Sequence, residues 1–448
     1  MLRFLRYLLA VALVVAAGLA WVVLRTPGSP FDGETAAPAD AELVARGEYV
    51  ARLGDCVACH STPESAPFAG GLEMATPLGA IYTTNITPDP EHGIGGYTLA
   101  DFDRAVRLGV TPDGTHLYPA MPYPSYAKYS DEDIRALYAY FTTAVEPAAT
   151  EDPPSEIEWP MNMRWPLAVW SLAFAPTEPY APDGEQDAAW NRGAYLVEGP
   201  GHCGSCHTPR GLAMQEKGLD SSDDTYLSGA LLDGWYAPSL RNDHNTGLGR
   251  WSEDEIVAYL RDGRNAHAVV VGTMAEAFNN STQFMTDDDL YAIARYLKSL
   301  PGDEERDGTP WRYDASTVDR LSVTRRAGNA GAQTYMASCA TCHGTDGMGR
   351  APWIPPLAGA ASSLAPEAAS SVNVTLNGSM RVVAGGVPDS YRMPSYRHQL
   401  DDREIAELLS FIRNAWGNHG DAVTPEEVAE LRARTDPASP NPIVLQMR

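Results

Sequence analysis

The six cysteines constrain this chain most, because all of them fall in three copies of one short pattern. The copies read CVACH (56–60), CGSCH (203–207) and CATCH (339–343), and each is a Cys-x-x-Cys-His motif. Two thiols one helical turn apart can form thioethers with the vinyl groups of one porphyrin, and the following histidine can then bind the iron. An isolated Cys-x-x-Cys pair could instead be a redox disulfide or half of a zinc site. Here every pair carries the histidine and no cysteine is left over, so the pattern predicts three covalently attached c-type haems.

The motif itself identifies the predicted haem-binding residues. The attaching cysteines are Cys56, Cys59, Cys203, Cys206, Cys339 and Cys342, and the first axial iron ligands are His60, His207 and His343. A ligating histidine usually donates its other ring N–H to a carbonyl or carboxylate. Prolines follow each motif, in CHSTP, CHTPRG and APWIPPLAG, and one proline carbonyl per copy is a candidate acceptor. Turn formation is an equally good explanation for these prolines.

A repeat of domain size surrounds the three motifs. A short helical pattern with a glycine and then a tyrosine precedes each first cysteine, and a capped helix closes each copy. The closing caps have capping-box spacing, in Ser130 with Asp133, Thr286 with Asp289, and Asp401 with Glu404. The apolar positions that follow predict one buried face per helix, made of Ile134, Leu137, Tyr138 and Phe141, of Leu290, Ile293, Ala294 and Leu297, and of Ile405, Leu408, Leu409 and Ile412. Middle helices are predicted over TLADFDRAVRLG and SEDEIVAYLRDG, with a weaker pattern in SSVNVTLNG.

The sequence therefore predicts a mainly α chain with three tandem haem-binding domains. The expected ranges are 1–30 for a signal or anchor, 41–150 for the first domain, 151–184 for a Trp/Pro-rich linker, 185–301 for the second domain, 302–326 for a charged linker, 327–417 for the third domain and 418–448 for a polar tail. The linker contains IEWPMNMRWPLAVWSLAFAP (157–176), which we interpret as an apolar strap that packs between domains. The alternative is a docking surface for a partner subunit or for the membrane.

The second axial ligand decides what each iron can do. Two strong protein ligands leave no place for chemistry at iron and suit electron transfer, whereas an open face suits catalysis or gas binding. Each copy offers a methionine between the middle and closing helices, namely Met121, Met274 and Met393. A lone methionine is usually core filler, but three at matched places in a repeat favour ligation. Met274 lacks the proline that follows the other two, so Met285 and His267 remain alternatives in the second copy.

The N-terminus has the pattern of an export signal. Arg3 and Arg6 precede an uncharged apolar run from Tyr7 to Leu24, which is the arrangement that leaves the positive end in the cytoplasm. The small residues at 18–20 could form a cleavage site, but the run is also near the length that spans a bilayer. We favour a retained signal-anchor helix, and in either case the following residues lie outside the cytoplasm. The formal net charge of −25 argues against nucleic acid as a partner.

Several phrases resemble one known family. CHTPRG, TTNITPD, YPAMPYPSY and STQFMTDDDLYAIARYLKSL are similar to the three-haem cytochrome c subunit of bacterial membrane-bound dehydrogenases, over residues 41–417. Such subunits accompany alcohol, gluconate, sorbitol and fructose dehydrogenases. The resemblance implies three class I cytochrome c domains with histidine and methionine axial ligands at the positions named above. It also implies a separate dehydrogenase subunit with a flavin, quinone or molybdenum cofactor, and ubiquinone or a terminal oxidase as electron acceptor.

The expected function is thus an electron-transfer subunit without substrate chemistry of its own, on the periplasmic side of the cytoplasmic membrane. Two other classes stay open. One is a peroxidase-like haem enzyme with a single open iron, against which the methionine in each copy counts. The other is an electron-entry cytochrome subunit of a terminal oxidase, a class that usually carries fewer haems.

Overall fold

The computed structural model describes residues 2–36, 38–76, 78–232, 234–322, 328–379 and 382–436, and it is mainly helical. Its first helix, Leu2–Leu24, is long and apolar enough by length and composition to cross a membrane. The chain divides into two compact units. One comprises residues 1–181 with 198–202, and the other comprises residues 182–197 with 203–448. The second and third copies therefore lie in the same unit.

Three kinds of helix recur around the cysteine motifs. The leading helices are Ala41–Leu53, Ala188–Glu198 and Ala330–Ser338, the middle helices are Leu99–Leu108, Glu253–Asp262 and Ala369–Asn377, and the closing helices are Asp131–Thr143, Asp287–Ser299 and Asp402–Ile412. Each motif forms one short helical turn, at Cys56–Cys59, Gly204–His207 and Ala340–His343. Further short helices are Tyr123–Tyr126, Trp165–Phe174, Thr273–Asn280, Glu304–Asp307, Ser316–Arg320, Ala361–Leu364 and Pro425–Arg434, with a 3₁₀ turn at Thr282–Phe284.

The predicted closing helices are confirmed, including their caps. Ser130, Thr286 and Asp401 each accept a hydrogen bond from the backbone N–H three residues on, which satisfies a donor that the first turn cannot pair. All the predicted apolar positions of the second and third closing helices are buried. In the first, Tyr138 is half-buried and donates its hydroxyl to the carbonyl of Tyr97 at 2.9 Å. The apolar stripe predicted from the sequence is therefore the face that packs.

One glycine in each leading helix lets that helix cross the closing helix at close range. A Cβ added to Gly47 would lie 2.0 Å from the carbonyl oxygen of Ala136. The same atom on Gly193 would lie 2.0 Å from the carbonyl oxygen of Ala292, and on Gly331 it would lie 2.1 Å from that of Glu407. Real Cβ atoms do not approach so closely, so only glycine fits at these crossings. The glycine of the sequence repeat is thus explained by the packing of two helices.

The middle helices end at glycines that adopt a left-handed conformation. Gly109 has φ +63° and Gly263 has φ +72°, and each follows a helix that begins with a complete capping box. The third middle helix has Ala368 at its N-cap position, without a side-chain cap, and Gly378 at its C-cap position. The weaker sequence pattern of the third copy therefore reflects a missing N-terminal cap, while the helix itself forms.

Small antiparallel hairpins accompany the helices. Glu73–Thr76 pairs with Gly79–Tyr82 and Ala230–Leu232 pairs with Trp235–Ala237, in both cases ahead of a middle helix. The third hairpin, Val383–Ala384 with Val387–Pro388, instead follows its middle helix. It packs on the second copy, where Asn279 Oδ1 accepts from the N–H of Val383 at 2.9 Å. Gln283 Nε2 donates to the carbonyl of the same valine at 2.9 Å.

The described parts of the segments expected to be linker and tail are packed. In the linker 302–326, Asp307 accepts bonds from the backbone N–H groups of Asn245 (2.8 Å) and Thr246 (3.0 Å). The expected polar tail 418–448 contains the helix Pro425–Arg434, which begins with a capping box and buries Val428 and Leu431 in the core of the third copy. Two apolar residues in a charged helix make too weak a stripe to predict a buried face from sequence.

A buried ion pair joins the second copy to the third. The side chains of Arg264 and Asp389 form it, and they are only 8% and 4% exposed. Arg264 also lies over the ring of Trp353, with its Cζ 4.4 Å from the ring centroid. Removal of one partner from a buried pair leaves an uncompensated charge, which costs far more than loss of a surface pair.

We therefore expect Asp389→Ala to lower the free energy of unfolding of this unit by about 3 kcal/mol. The matched control is Asp262→Ala, which removes a half-exposed partner of Arg261 and should cost less than about 1 kcal/mol. Denaturant unfolding followed by tryptophan fluorescence measures both values. Equal costs for the two variants would contradict a buried pair.

Candidate functional site

Each cysteine motif folds into the same local structure. The backbone N–H of the histidine donates to the carbonyl of the first cysteine at 3.0 Å, in His60 to Cys56, His207 to Cys203, and His343 to Cys339. This single helical turn brings the two cysteines and the histidine of a motif together. None of the six cysteines forms a disulfide. The structure therefore assembles the three predicted sets of attaching residues as the sequence pattern requires.

Every motif histidine has its Nδ1 against a backbone carbonyl. The distances are 2.7 Å from His60 to Thr84, 2.7 Å from His207 to Pro238 and 3.0 Å from His343 to Pro355. A carbonyl only accepts, so Nδ1 carries the proton and Nε2 keeps the lone pair that can bind a metal. Burial also lowers the pKa of all three histidines, and the bond to the carbonyl opposes this shift. The neutral imidazole is the form that ligates iron.

The predicted proline acceptors are correct only in part. Pro355 lies in the predicted run APWIPPLAG, but the prolines directly after the first two motifs, Pro63 and Pro209, are not the acceptors. In the first copy the acceptor is Thr84, and in the second it is a later proline, Pro238. The bond requires only a backbone oxygen in the right place, so residue type does not reveal it. The loop after the hairpin supplies this oxygen in both copies.

The first cysteine of each motif lies in an environment that disfavours charge. Burial raises the pKa of Cys56, Cys203 and Cys339 to about 12 in each case. As unattached side chains, these thiols would be protonated at neutral pH. Their low thiolate content argues against a reactive redox dithiol, which needs a lowered pKa.

The methionine segments of the first two copies are anchored to their middle helices in the same way. Leu117 donates its backbone N–H to the carbonyl of Gly109 at 2.8 Å, and Val270 donates to Gly263 at 2.9 Å. Met121 and Met274 each come four residues after that anchored N–H. Met121 packs against the core of the first copy, as do Cys56 and Val57 of the first motif. Met274 lies in the helix Thr273–Asn280 and packs with Val270, Phe278 and Val382.

The third methionine is held by its backbone. Met393 donates its N–H to the hydroxyl of Ser379 at 2.9 Å, and its carbonyl accepts from the N–H of the same serine at 3.1 Å. Ser379 directly follows Gly378, which ends the middle helix. All three methionine loops are therefore fastened to the C-terminal end of their own middle helix.

The alternatives to Met274 differ in their surroundings. His267 stacks on Trp251 with ring centroids 5.2 Å apart, and its Nε2 lies 3.0 Å from Glu255 Oε1. The imidazole of His267 is therefore held by contacts within its own copy, with Trp251 and Glu255. Met285 is half-buried and directly precedes the cap of the closing helix, outside the loop that corresponds to that of Met121. The matching backbone anchors, four residues before Met121 and Met274, favour Met274.

Two tyrosines that the sequence analysis did not select tie methionine loops to motifs. Tyr126 donates its hydroxyl to the carbonyl of Gly54 at 2.7 Å, two residues before the first motif. Tyr396 donates to the carbonyl of Ser338 at 2.7 Å, directly before the third motif. Both tyrosines end a Pro-Ser-Tyr sequence shared by YPAMPYPSY and SYRMPSYRH. The shared Pro-Ser-Tyr tripeptide is the feature of the sequence from which both tyrosines could have been selected.

The second copy makes the corresponding connection through an indole. The ring of Trp235 lies against Gly272, where an added Cβ would be 2.8 Å from it, and three residues later Pro238 bonds the motif histidine. The Nε1–H of Trp235 is buried and has no partner in the described part of the chain. A carboxylate such as a haem propionate would satisfy this donor. Paired cysteines outside any disulfide, imidazoles with an available Nε2 and this unpaired donor together fit a covalently attached haem.

Comparisons with known proteins agree with this geometry. The Cytochrome c family model matches residues 191–301 and 329–416. The chain is 49% identical over 405 residues to the cytochrome c subunit of alcohol dehydrogenase (quinone) from Gluconacetobacter polyoxogenes, covering 90% of this chain and 86% of that one. The chain belongs to the family of dehydrogenase cytochrome c subunits.

Two further relatives show the breadth of the family. This cytochrome c subunit is 48% identical over 406 residues to the gluconate 2-dehydrogenase cytochrome c subunit of Pantoea cypripedii, covering 88% of this chain and 90% of that one. It is 36% identical over 454 residues to the fructose dehydrogenase cytochrome subunit of Gluconobacter japonicus, covering 96% and 90%. Membership of this family implies covalently bound haem c, and the resemblance noted from the sequence is confirmed.

Proposed function

We propose that this cytochrome c subunit carries three haems c in three tandem class I domains, over 41–150, 185–301 and 327–417, and transfers electrons from a partner dehydrogenase subunit. The observation that supports this most is the threefold recurrence of one local arrangement. In each copy a Cys-x-x-Cys-His turn fixes its histidine through Nδ1 to a backbone carbonyl. The family membership supplies the dehydrogenase context.

The chain's own residues would bind, orient and enclose the haems. The paired cysteines would attach each haem, His60, His207 and His343 would offer Nε2 to the irons, and Met121, Met274 and Met393 are the proposed second ligands. Each bound haem supplies a one-electron iron couple. Methionine ligation raises the potential of a haem relative to two histidines, which favours uptake of electrons from an organic substrate oxidised on another subunit.

The proposed partners follow from the relatives. Their names identify alcohol, gluconate and fructose dehydrogenases, so we propose a catalytic subunit with a flavin, quinone or molybdenum cofactor. The proposed acceptor is ubiquinone in the membrane or a terminal oxidase. The N-terminal apolar helix supports attachment to the cytoplasmic membrane, with the haem-bearing copies on the periplasmic side.

Isolation of the native complex tests the function. The full chain is purified from solubilised membranes through an affinity tag, and co-purifying subunits are identified by mass spectrometry. Ethanol, gluconate and fructose are then added separately without oxygen while haem absorbance is recorded. We expect a dehydrogenase subunit and substrate-dependent haem reduction. Absence of any dehydrogenase, together with haems that none of these substrates reduces, would contradict the proposal.

Carbon monoxide distinguishes this function from a haem enzyme. If a methionine occupies the second axial position in all three copies, the reduced, undamaged protein should show no stoichiometric CO spectrum. A Met121→Ala variant is the positive control, because its opened iron should bind one equivalent. Binding of one equivalent of CO to the unaltered protein would favour the peroxidase-like alternative with an open iron.

A further inference from the structure

The segment 157–176, which we name the Trp-rich segment, has an inner face packed on the first copy. The ring of Trp170 meets Tyr123 edge-on with centroids 6.1 Å apart, and Ser171 Oγ lies 3.1 Å from the Tyr123 hydroxyl. Tyr118 donates its hydroxyl to the carbonyl of Met161 at 3.2 Å. These tyrosines flank Met121 in sequence. The Trp-rich segment therefore covers the methionine loop of the first copy.

Its outer face is apolar and exposed. On the helix Trp165–Phe174, Trp165, Val169 and Leu172 follow at i, i+4 and i+7 and so share one side of the helix. Trp165 is 51% exposed and Leu172 is 61% exposed, and Trp159 just before the helix is 77% exposed. No charged residue occurs between Arg164 and Glu178. In a protein with a net charge of −25, this uncharged stretch is a distinct surface.

The Trp-rich segment lies next to the N-terminal apolar helix. The helices Leu2–Leu24 and Trp165–Phe174 belong to the same compact unit, and they approach with Cα atoms within 8 Å. The N-terminal helix is itself exposed, as expected for a helix whose surroundings are lipid. A surface beside a membrane anchor is carried to the bilayer by that anchor.

We propose that the Trp-rich segment inserts into the interface of the lipid bilayer, and this rests on the proposed role of Leu2–Leu24 as a retained anchor. Its ten-residue helix is about 15 Å long, too short to span the bilayer, and therefore lies in the interface. Tryptophans such as Trp159 and Trp165 favour that depth because they combine an apolar ring with an N–H donor. The first copy, with the Met121 loop behind this helix, is then the copy held at the membrane.

Site-directed spin labelling of the full chain in phosphatidylcholine–phosphatidylglycerol nanodiscs tests the placement. Since all six native cysteines are haem-attachment residues, Leu172→Cys introduces a single reactive thiol, and Trp165→Cys provides a second site. Glu48→Cys, on the exposed side of Ala41–Leu53, is the aqueous control, and Val14→Cys reports on the anchor. Power saturation with oxygen and with a water-soluble nickel chelate is measured on the reduced protein, in which low-spin ferrous haems are diamagnetic.

We expect the ratio of oxygen to nickel accessibility at Leu172 and Trp165 to exceed that at Glu48 several-fold, with a haem spectrum that matches the unaltered protein. Nickel accessibility equal to that at Glu48, while Val14 reports lipid, would overturn the proposal and leave the anchor intact. Low accessibility to both reagents would also overturn it, because a protein partner would then cover the surface. A water-exposed Val14 would instead refute the retained anchor.

Discussion

We expect Met274→Ala to change one haem and leave the rest of the protein folded. The ferric protein should lose one of three methionine–iron charge-transfer contributions. The midpoint potential of that haem should fall by on the order of 0.2 V, a fraction of the roughly 0.8 V range that axial ligands set. The reason is the loss of a thioether ligand that stabilises the ferrous state. Spectroelectrochemical titration measures both effects.

Met285→Ala is the matched control for this experiment. Met285 is a half-buried methionine of the same copy, and its loss should leave the potentials and the charge-transfer absorption unchanged. Three unperturbed low-spin haems in Met274→Ala would remove Met274 from the proposed ligands. A change in Met285→Ala or His267→Ala instead would identify the ligand as that residue.

The second large effect is expected at the helix crossings. Gly331→Ala should lower the free energy of unfolding of the third copy by about 3 kcal/mol. Its Cβ would lie 2.1 Å from the carbonyl oxygen of Glu407 and would force two helices apart. Denaturant unfolding, followed by circular dichroism and by haem absorbance, measures the change. The haem absorbance reports whether the third copy unfolds separately from the others.

Gly328→Ala provides a control three residues away. A Cβ at Gly328 meets nothing within 4 Å, so this variant should unfold at the same denaturant concentration as the unaltered protein. A tolerated Gly331→Ala would mean that the helices can separate without cost. An equal loss of stability in both variants would contradict the helix crossing as the cause, because a Cβ at Gly328 meets nothing within 4 Å.

The helices could be predicted because their signals are local. N-caps and apolar positions at i, i+3, i+4 and i+7 lie within one turn or two, and the structure confirms the N-caps Ser130, Thr286 and Asp401, the last with a complete capping box. The cysteine motifs are equally local, since one helical turn brings both thiols and the histidine together. Spacing alone was therefore sufficient for these parts of the fold and of the site.

The features that sequence reasoning missed depend on distant residues. Thr84 lies 24 residues from His60, and nothing in its type marks it as the acceptor. The glycine in each leading helix was noticed as a repeat, but its reason lies in a closing helix far along the chain. Met274 was expected in a loop like that of Met121 and lies instead in the helix Thr273–Asn280. No proline interrupts that stretch, so the helix can form there.

The role of the Trp-rich segment also depends on residues that are distant in sequence. Its sequence indicated an apolar strap or a docking surface without deciding between them. The structure shows one face packed on Tyr118 and Tyr123 and the opposite face exposed. The inner side therefore packs on the first copy, and the outer side is the one available for docking. Only the tertiary contacts assign the two sides.

Three covalently bound haems are the core of the proposed function, and the intact mass of the denatured full chain counts them. Thioether bonds survive denaturation, so the mass should exceed that of the polypeptide by three haems, and by two haems in a variant with Cys339→Ser and Cys342→Ser. The same spectrum shows whether residues 1–30 are retained. We expect three haems in the unaltered protein and two in the variant. A mass with two haems or fewer in the unaltered protein would contradict the proposed function.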